Sequence, residues 1–231
     1  MSLASLGGGA FTGRPCDDGR KALMTTEKLE PFRQALVELR RRLRDGGLAP
    51  GDRVTAKEIA DSLKLSPTPV REALSRLAGE GLLEKHPGDG FFVPELSAAD
   101  VVALYRMSEH LLLISQGTTR VQSRNARVFE PVTEEPPIRA VERLFLAWAA
   151  ESGSRVTIEA YRTVSLRLAP VRRREAQLIG DLDPEADTLL QLADPSARRR
   201  RPAAIQTFHK RRIAVAEALA RLLEPPAIDH A

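Results

Sequence analysis

The sequence has few of the residues that carry covalent and metal chemistry. It contains one cysteine, Cys16, and four histidines among 231 residues. A single cysteine excludes a framework of disulfides and suits a reducing compartment such as the cytoplasm. No histidine lies in a motif with a nucleophile, and the sequence has neither a glycine-rich phosphate loop nor an HExxH motif. The sequence therefore argues against an enzyme.

Long apolar runs are also missing. No stretch of about 18 consecutive apolar residues occurs, so we expect no membrane-spanning helix. The first 24 residues are rich in glycine and small residues, and their apolar positions are too interrupted for a secretory signal. We expect a flexible tail over 1–24 and a cytoplasmic protein. The charge is mildly basic, with 35 Lys and Arg against 31 Asp and Glu, which by itself identifies no partner.

Two short helices are predicted within residues 48–93, which read LAPGDRVTAKEIADSLKLSPTPVREALSRLAGEGLLEKHPGDGFFV. Thr55, with Glu58 three residues later, is typical of a capping box at the start of the first helix. Ser66 is an N-cap candidate for the second helix, and Pro67 suits its first position. The buried stripe of the second helix would consist of four apolar residues, Val70, Ala73, Leu74 and Leu77.

A hairpin is predicted to follow these helices. Gly81 suits the end of the second helix, and short strands are expected at 82–85 and 91–93, joined by a turn over 86–90. A helix over 26–44 is expected to precede them, and the arginines near its end complement the helix dipole or touch phosphates. This order of elements is that of a winged helix-turn-helix, whose second helix enters the major groove of DNA.

The polar face of that second helix is the predicted DNA-binding surface. Arg71 can donate two hydrogen bonds to guanine O6 and N7. Ser66 and Thr68 lie at the helix N-terminus, where hydroxyl and N–H groups suit a phosphate, although capping alone also explains Ser66. The candidate DNA-binding residues of the helices and the wing are Lys57, Ser66, Thr68, Arg71, Ser75, His86 and Gly88.

The segment SPTPVREALSRLAGEGLL resembles the recognition-helix signature of the GntR family of bacterial transcription regulators. The upstream LAPGDRVTAKEIADSLKLS and the wing HPGDGFFV follow the same family pattern, and the resemblance spans residues 36–104. Arg71 matches the family's second recognition-helix arginine. Pro67 stands where the family commonly has an arginine, so one usual DNA contact is missing. The operator sequence and affinity are therefore left open.

The remainder of the chain is predicted to be helical. Ser97 marks the start of a helix of about 20 residues, and Pro131, Pro136 and Pro137 predict a loop over 123–137. Further helices are expected at 138–151, 157–179, 184–193 and 202–223, and the arginine run 198–201 is expected to be a solvated loop.

The predicted fold is therefore mainly α. It combines a winged helix-turn-helix with a small β-wing at 25–95 and an all-α bundle at 96–225, for which the resemblance to the GntR family implies effector binding and dimerisation. A tail is expected at 226–231.

An all-α domain after such a DNA-binding half resembles the FadR-type (FCD) branch of the family. Domains of that branch bind a small effector, often a carboxylate, and many hold a metal with an Asp, a His four residues later and two further His. By this resemblance, Glu142 replaces the Asp, Leu146 replaces the first His, and His209 matches a later His. Arg106 resembles the branch's effector-contacting arginine. We expect Arg106, Glu142 and His209 to contact an effector, and no metal cofactor, because Leu146 has no ligand atom and His230 lies in a proline-containing tail.

These patterns predict a homodimeric transcription regulator on a pseudo-palindromic operator of double-stranded DNA, controlled by a small-molecule effector. The alternative is a constitutive DNA-binding protein whose helical domain is vestigial and binds no ligand.

Overall fold

Three helices and a small sheet form the first part of the structure. A computed structural model describes residues 30–117 and 136–224, and the predicted tails at 1–24 and 226–231 lie outside these ranges. The helices are α1 Pro31–Asp45, α2 Ala56–Leu63 and α3 Pro67–Gly79, and the strands are β1 Arg53–Val54, β2 Glu84–His86 and β3 Gly90–Phe92. This arrangement confirms the predicted winged helix-turn-helix.

The ends of α2 and α3 follow from local chemistry. The Thr55 hydroxyl accepts a hydrogen bond from the Glu58 N–H at 3.4 Å, which confirms Thr55 as the N-cap of α2. Lys64 ends α2 in the left-handed conformation at φ 55°. Ser66 occupies the N-cap position of α3, but its side chain makes no capping hydrogen bond. Gly81 has φ +70°, which a residue with a Cβ rarely adopts, so the chain turns away from α3 there.

The sheet has the antiparallel order β1-β3-β2. Phe91 of the central strand β3 is paired with Lys85 of β2 on one side and with Val54 of β1 on the other. The strands predicted at 82–85 and 91–93 are shifted in the structure, because Leu82 and Leu83 are buried in the helical core before the hairpin begins. Strand β1 was not predicted, since two residues show no alternation.

One apolar core joins these elements. All four residues of the predicted α3 stripe are fully buried there, together with residues of α1, α2 and the strands. Leu166 of α6 also packs against this core. The main members from the other elements are Ala35, Leu39, Leu43, Val54, Ile59 and Val93.

The second part of the described chain is helical, as predicted. Its α-helices are α4 Ala98–Gly117, α5 Pro137–Ala150, α6 Arg155–Arg172, α7 Glu175–Ile179, α8 Asp183–Leu190, α9 Arg201–Ile213 and α10 Ala216–Arg221, with 3₁₀ turns at Gln191–Ala193 and Pro195–Arg200. The start of α4 is fixed by Ser97 and Asp100, whose backbone N–H groups each donate to the other's side chain. Most of the loop predicted at 123–137 lies outside the described residues. No described helix is long and apolar enough to cross a membrane.

Two predicted helices are each divided into two. The expected helix at 157–179 ends at Arg172 and resumes at Glu175, and the one at 202–223 is interrupted between Ile213 and Ala216. Pro170 lies in the last turn of α6, where its missing N–H removes one helical hydrogen bond. Beyond these breaks, α10 packs beside α4, and α7 places Glu175 next to Tyr105 of α4.

The prediction of a solvated loop at 198–201 is wrong for Arg201. This side chain is fully buried, lies 4.9 Å from the centre of the Trp148 ring and donates to both Glu151 oxygens at 2.8 and 2.9 Å. Its Nε also donates to the Leu192 carbonyl at 2.9 Å. The guanidinium can be buried because a carboxylate and backbone carbonyls together accept its hydrogen bonds.

The two parts meet where α1 ends. Arg173 Nη1 donates to the carbonyls of Arg44 at 2.6 Å and Leu43 at 3.2 Å, and Arg139 Nη2 donates to the Asp45 carboxylate. Cations are favoured at the carbonyl end of a helix, so both arginines stabilise this junction. The helical part is thereby connected directly to the first helix of the DNA-binding part.

Candidate DNA interface and effector cavity

The outer face of α3 forms a shallow open groove. Because the apolar stripe turns inward, helical periodicity leaves the polar residues exposed on the opposite side. The structure brings together Thr68, Arg71 and Ser75 as the sequence predicted, and the groove lining is completed by Glu72 and Arg76. This surface has the shape and position of a recognition helix.

Arg71 differs from the neighbouring arginine. Arg76 Nε donates to Glu80 at 2.8 Å, whereas Arg71 is exposed and makes no ion pair with any residue in the described ranges. An exposed guanidinium without a carboxylate partner keeps all its donors for an external acceptor. Arg71 is therefore the arginine of α3 best placed to contact a base.

The start of α3 offers a place for a phosphate. Ser66 and Thr68 are both exposed, and the Ser66 hydroxyl is not used for capping. Lys57 is exposed in the first turn of the preceding helix. The residues predicted from sequence for phosphate contacts are thus on the surface.

Contacts of His86 and Arg53 hold the wing in shape. The His86 ring stacks on Phe92 with centroids 4.8 Å apart, and its Nε2 lies 3.4 Å from Glu84 Oε2. Arg53 Nε donates to the Asp89 carbonyl at 2.8 Å and so connects β1 to the wing turn. Gly88 is exposed at the turn with φ +86° and open space around its Cβ position. Sequence reasoning did not identify Arg53, because β1 is too short to show a pattern.

The arginines at the end of α1 mainly hold the fold together. Arg40 donates to Glu80, directly after α3, at 2.7 Å, and Arg42 donates to Ser62 of α2 at 2.8 Å. Hydrogen bonds from Arg41 and then Arg42, against the opposing effect of burial, lower the pKa of Glu38 to about 2. These side-chain partners hold Arg40, Arg41 and Arg42 within the fold, so a phosphate contact is not needed to explain the cluster.

The predicted effector residues are not brought together. Glu142 lines a cavity in the helical part, but Arg106 is exposed, because Tyr105 and Ser108 on the same helix face the interior instead. Arg106 does not line this cavity, and its contact with an effector stays a prediction. His209 is fully buried beside the cavity residue Phe208 but is not part of the cavity lining.

Both nitrogens of His209 are engaged. Nδ1 lies 2.7 Å from the Ile205 carbonyl and must donate to it, so Nε2 accepts a hydrogen bond from the Ser108 hydroxyl at 2.9 Å. Burial lowers the pKa of His209 to about 3, and the imidazole is neutral at physiological pH. This geometry matches a buried structural histidine.

The metal that the resemblance implies does not fit these residues. Leu146 supplies no ligand atom, Glu142 accepts from Arg139 at 2.9 Å, and the His209 nitrogens are used within the fold. Within residues 30–117 and 136–224, no three His, Cys, Asp or Glu side chains are grouped so that they could hold a metal ion.

The cavity is built from apolar walls and buried ion pairs that the sequence did not reveal. Its volume is about 20 Å³, which is room for roughly one water molecule. Apolar side chains of α5, α8 and α9 form the walls, including Val141, Ala186 and Phe208. The charged residues are Glu142, Arg172, Glu175, Glu185 and Arg212, which come from five different helices.

Arg212 is the central cation of this network. Its Nε donates to Glu175 at 2.9 Å and its Nη2 to Glu185 at 2.7 Å. Burial, and then the Glu175 charge, raise the pKa of Tyr105, so this hydroxyl stays protonated and donates to Glu175 at 2.6 Å. No sequence signal identifies these residues, because charged helical positions are typical of solvent-facing surfaces.

A winged helix-turn-helix with an exposed second helix, joined to an all-α part, is an architecture found among DNA-binding proteins. The model of the GntR family, described as "Bacterial regulatory proteins, gntR family", matches residues 32–93. A helix-turn-helix transcriptional regulator encoded in the TAR-I ttuE-ttuC' intergenic region of Agrobacterium vitis is 32% identical over 119 residues, which are 48% of this chain and 68% of that protein. The chain belongs to the GntR family of bacterial regulatory proteins.

Other relatives match mainly in the DNA-binding part. The regulator McbR of Escherichia coli is 37% identical over 78 residues, 34% of this chain and 35% of McbR. The Nta operon transcriptional regulator of Aminobacter aminovorans is 44% identical over 62 residues, 27% of this chain and 30% of that protein. The matched segment thus spans about a third of the length of these curated relatives.

Two solved structures share the fold over most of this chain. Escherichia coli McbR/YncC superimposes with a TM-score of 0.62 at 20% identity, covering 82% of this chain and 98% of that one. A putative GntR regulator from Rhodococcus sp. RHA1 gives a TM-score of 0.62 at 18% identity, covering 84% and 99%. These likenesses show the fold of both parts.

Proposed function

We propose that this regulator is a homodimer of the FadR-like branch that binds a pseudo-palindromic operator and responds to a small-molecule effector. Each winged part, residues 25–95, would read one half-site, and the helical part, residues 96–225, would dimerise and receive the effector. The protein would act in the cytoplasm, where the chromosome lies.

The observation that carries the DNA-binding role is the unpaired, exposed Arg71 on the outer face of α3. We assign it the bidentate contact to guanine, with Ser75 on the same groove as a second base-edge contact. Ser66, Thr68 and Lys57 would contact phosphates. His86 and Gly88 would follow the wing into the minor groove.

Binding to a duplex selected from a random library tests this role. Arg71→Ala should weaken binding by about 1–3 kcal/mol and relax the preference at one base pair of each half-site. Arg155→Ala is the matched control, because Arg155 is exposed in the helical part and, among the described residues, pairs with Glu159 of its own helix. Equal affinity and selectivity of Arg71→Ala and wild type would refute the assignment.

The proposed dimer uses the exposed face of α4. Met107 is 55% exposed and Ala103, one turn earlier, is exposed as well, so this face presents apolar surface. Met107→Arg should convert the dimer to a monomer at micromolar concentration in light scattering. Val156→Arg is the control, because Val156 is 78% exposed at the start of a different helix. A wild-type monomer, or a Met107→Arg dimer as stable as wild type, would contradict this proposal.

A second candidate is a constitutive DNA-binding protein whose helical part binds no ligand. The small volume of the cavity and its internal ion pairs favour this alternative. Titration of the protein–DNA complex with small carboxylates separates the two. A saturable change in operator affinity supports effector control, and no response to any carboxylate supports the constitutive protein.

A further inference from the structure

A basic groove lies between the winged part and the helical part. Its volume is about 840 Å³, and it is lined by residues of α1, the end of α3, α5 and α6. The charged residues of the lining are six arginines and three glutamates, which leaves an excess of positive charge. The arginines are Arg40, Arg44, Arg76, Arg139, Arg143 and Arg162. A concave surface with an excess of one sign of charge attracts partners of the opposite sign.

The three glutamates of the basic groove are already paired. Glu80 accepts from Arg40 at 2.7 Å and from Arg76 at 2.8 Å. Glu142 and Glu159 each accept from an arginine of their own helix, at 2.9 and 2.8 Å. Within the described lining, no carboxylate is therefore left without a cation.

Arg162 of α6 is exposed in the basic groove. It makes no ion pair with a residue in the ranges 30–117 and 136–224, so its guanidinium keeps its donors for an external acceptor. Leu166, one turn later on α6, packs against the core of the winged part. Arg162 thus belongs to the helical part in sequence but is held next to the winged part.

The basic groove continues onto the outer face of α3. Arg76 lines both the basic groove and the groove on that outer face. Glu159 of α6 pairs with Arg155, whose hydrogen bond and charge are the main cause of its lowered pKa. The charges of Arg162 and Arg76 lower this pKa further, because both lie near the same carboxylate. Arg162 is therefore close to the surface that we assign to DNA.

Apolar side chains also line the basic groove, but packing within the fold explains them. Phe32 and Leu36 of α1 and Leu166 of α6 are half-buried and pack against the core of the winged part. The four exposed residues of the lining are all charged, three arginines and Glu159. The groove therefore presents mainly guanidinium groups to solution, and these bind phosphate oxygens well.

We propose that the basic groove receives the sugar-phosphate backbone of DNA beside the half-site, with Arg162 contacting a phosphate. The sign of the charge and the continuity with the outer face of α3 both favour this partner. The inference rests on the proposed function, because it needs α3 in the major groove. It extends that function by assigning part of the DNA interface to the helical part, so that DNA contacts both parts of one protomer.

The test measures the operator affinity of full-length Arg162→Ala as a function of salt concentration. Each lost phosphate contact should lower the steepness of log K against log salt by about 0.9. The advantage of wild type over the variant should then shrink about 3.5-fold per contact between about 50 and 200 mM salt. Preference among base pairs should not change, in contrast to Arg71→Ala, because a phosphate contact carries no sequence information.

Two further variants control for net charge and for the kind of contact. Arg200→Ala removes the same charge from an exposed residue of the helical part that does not line the basic groove, and it should keep the wild-type salt dependence. Arg162→Lys keeps a cation at the groove and should keep most of that dependence, since a phosphate also accepts a point charge. Ethylation of a phosphate beside each half-site should interfere with wild type but not with Arg162→Ala.

The two levels of the proposal fail differently. If wild type binds a selected operator and Arg162→Ala has the wild-type salt dependence, or Arg200→Ala loses as much of it, the phosphate contact is overturned and the proposed function stands. A wild-type protein that binds no selected operator contradicts the proposed function and this inference together.

Discussion

His209 should make the fold sensitive to mild acid. The imidazole of His209, on α9, is buried against α4. Its two nitrogens are hydrogen-bonded to the Ser108 hydroxyl and the Ile205 carbonyl, and its ring stacks on Phe145 with centroids 5.9 Å apart. Burial lowers the pKa of His209 from 6.5 to about 3. In the unfolded chain the same group binds a proton near its ordinary pKa of about 6.5.

The direction of the pH dependence follows from proton uptake by His209 on unfolding. Between pH 6.5 and 3 the unfolded state holds a proton on this residue and the native state does not, so the free energy of unfolding falls as the pH falls. Above pH 6.5 His209 is neutral in both states, and its contribution to the free energy of unfolding is fully present. The slope is about 1.4 kcal/mol per pH unit, so the loss at pH 5 is on the order of 2 kcal/mol.

The assay is urea unfolding at pH 7.5 and pH 5.0. The difference in unfolding free energy between the two pH values should be about 2 kcal/mol larger for wild type than for His209→Gln, which cannot titrate. The variant is expected to be less stable than wild type at pH 7.5, because Gln does not reproduce the ring contacts. His110→Gln is the control, since His110 is exposed on α4, and it should keep the wild-type difference. An equal change in unfolding free energy between pH 7.5 and pH 5.0 for wild type and His209→Gln would refute the reasoning.

Three further predictions concern stability and assembly. Arg201→Ala should lower the free energy of unfolding by about 3 kcal/mol, because Glu151 and two backbone carbonyls lose their hydrogen-bond donor. Arg200→Ala is the control, since Arg200 is exposed and its loss should change the stability little. Equal losses of stability in urea unfolding of the two variants would contradict the buried network. Wild type should lose stability as the pH falls from about 4.5 towards 2, because the ionised Glu38 stabilises the fold only while it stays deprotonated. Glu38→Gln should lose less stability over that range, by a small amount because Arg41 is exposed. Acid unfolding curves of Glu38→Gln and wild type that superimpose would contradict this prediction. Met107→Arg should give a monomer in light scattering, where Val156→Arg stays dimeric.

The winged part could be predicted from sequence because its determinants are local. Thr55 at a helix start, Pro67 at a first helical position and Gly81 after a helix act within a few residues of themselves. The period of the apolar stripe then fixes which face of α3 is exposed, and with it the place of Arg71. Strand β1 escaped prediction because two residues carry no periodicity.

The cavity could not be predicted, because its determinants are distant in sequence. Arg172 and Glu142 are separated by 30 positions, and Tyr105 and Glu175 by 70. A charged residue in a helix is usually solvated, so nothing in the sequence marks Arg172 or Arg212 as buried. Arg106 was placed by resemblance alone, and the inward turn of Tyr105 on the same helix excludes it from the cavity.

The most direct test of the account is a footprint of full-length protein on a duplex selected from a random library. We predict two protected half-sites on one face of the duplex, with centres about 10 base pairs or a multiple of that apart, and loss of discrimination at one base pair in each half-site for Arg71→Ala. A library from which no sequence is enriched, or a footprint that Arg71→Ala leaves unchanged, would contradict a regulator that reads DNA through the outer face of α3.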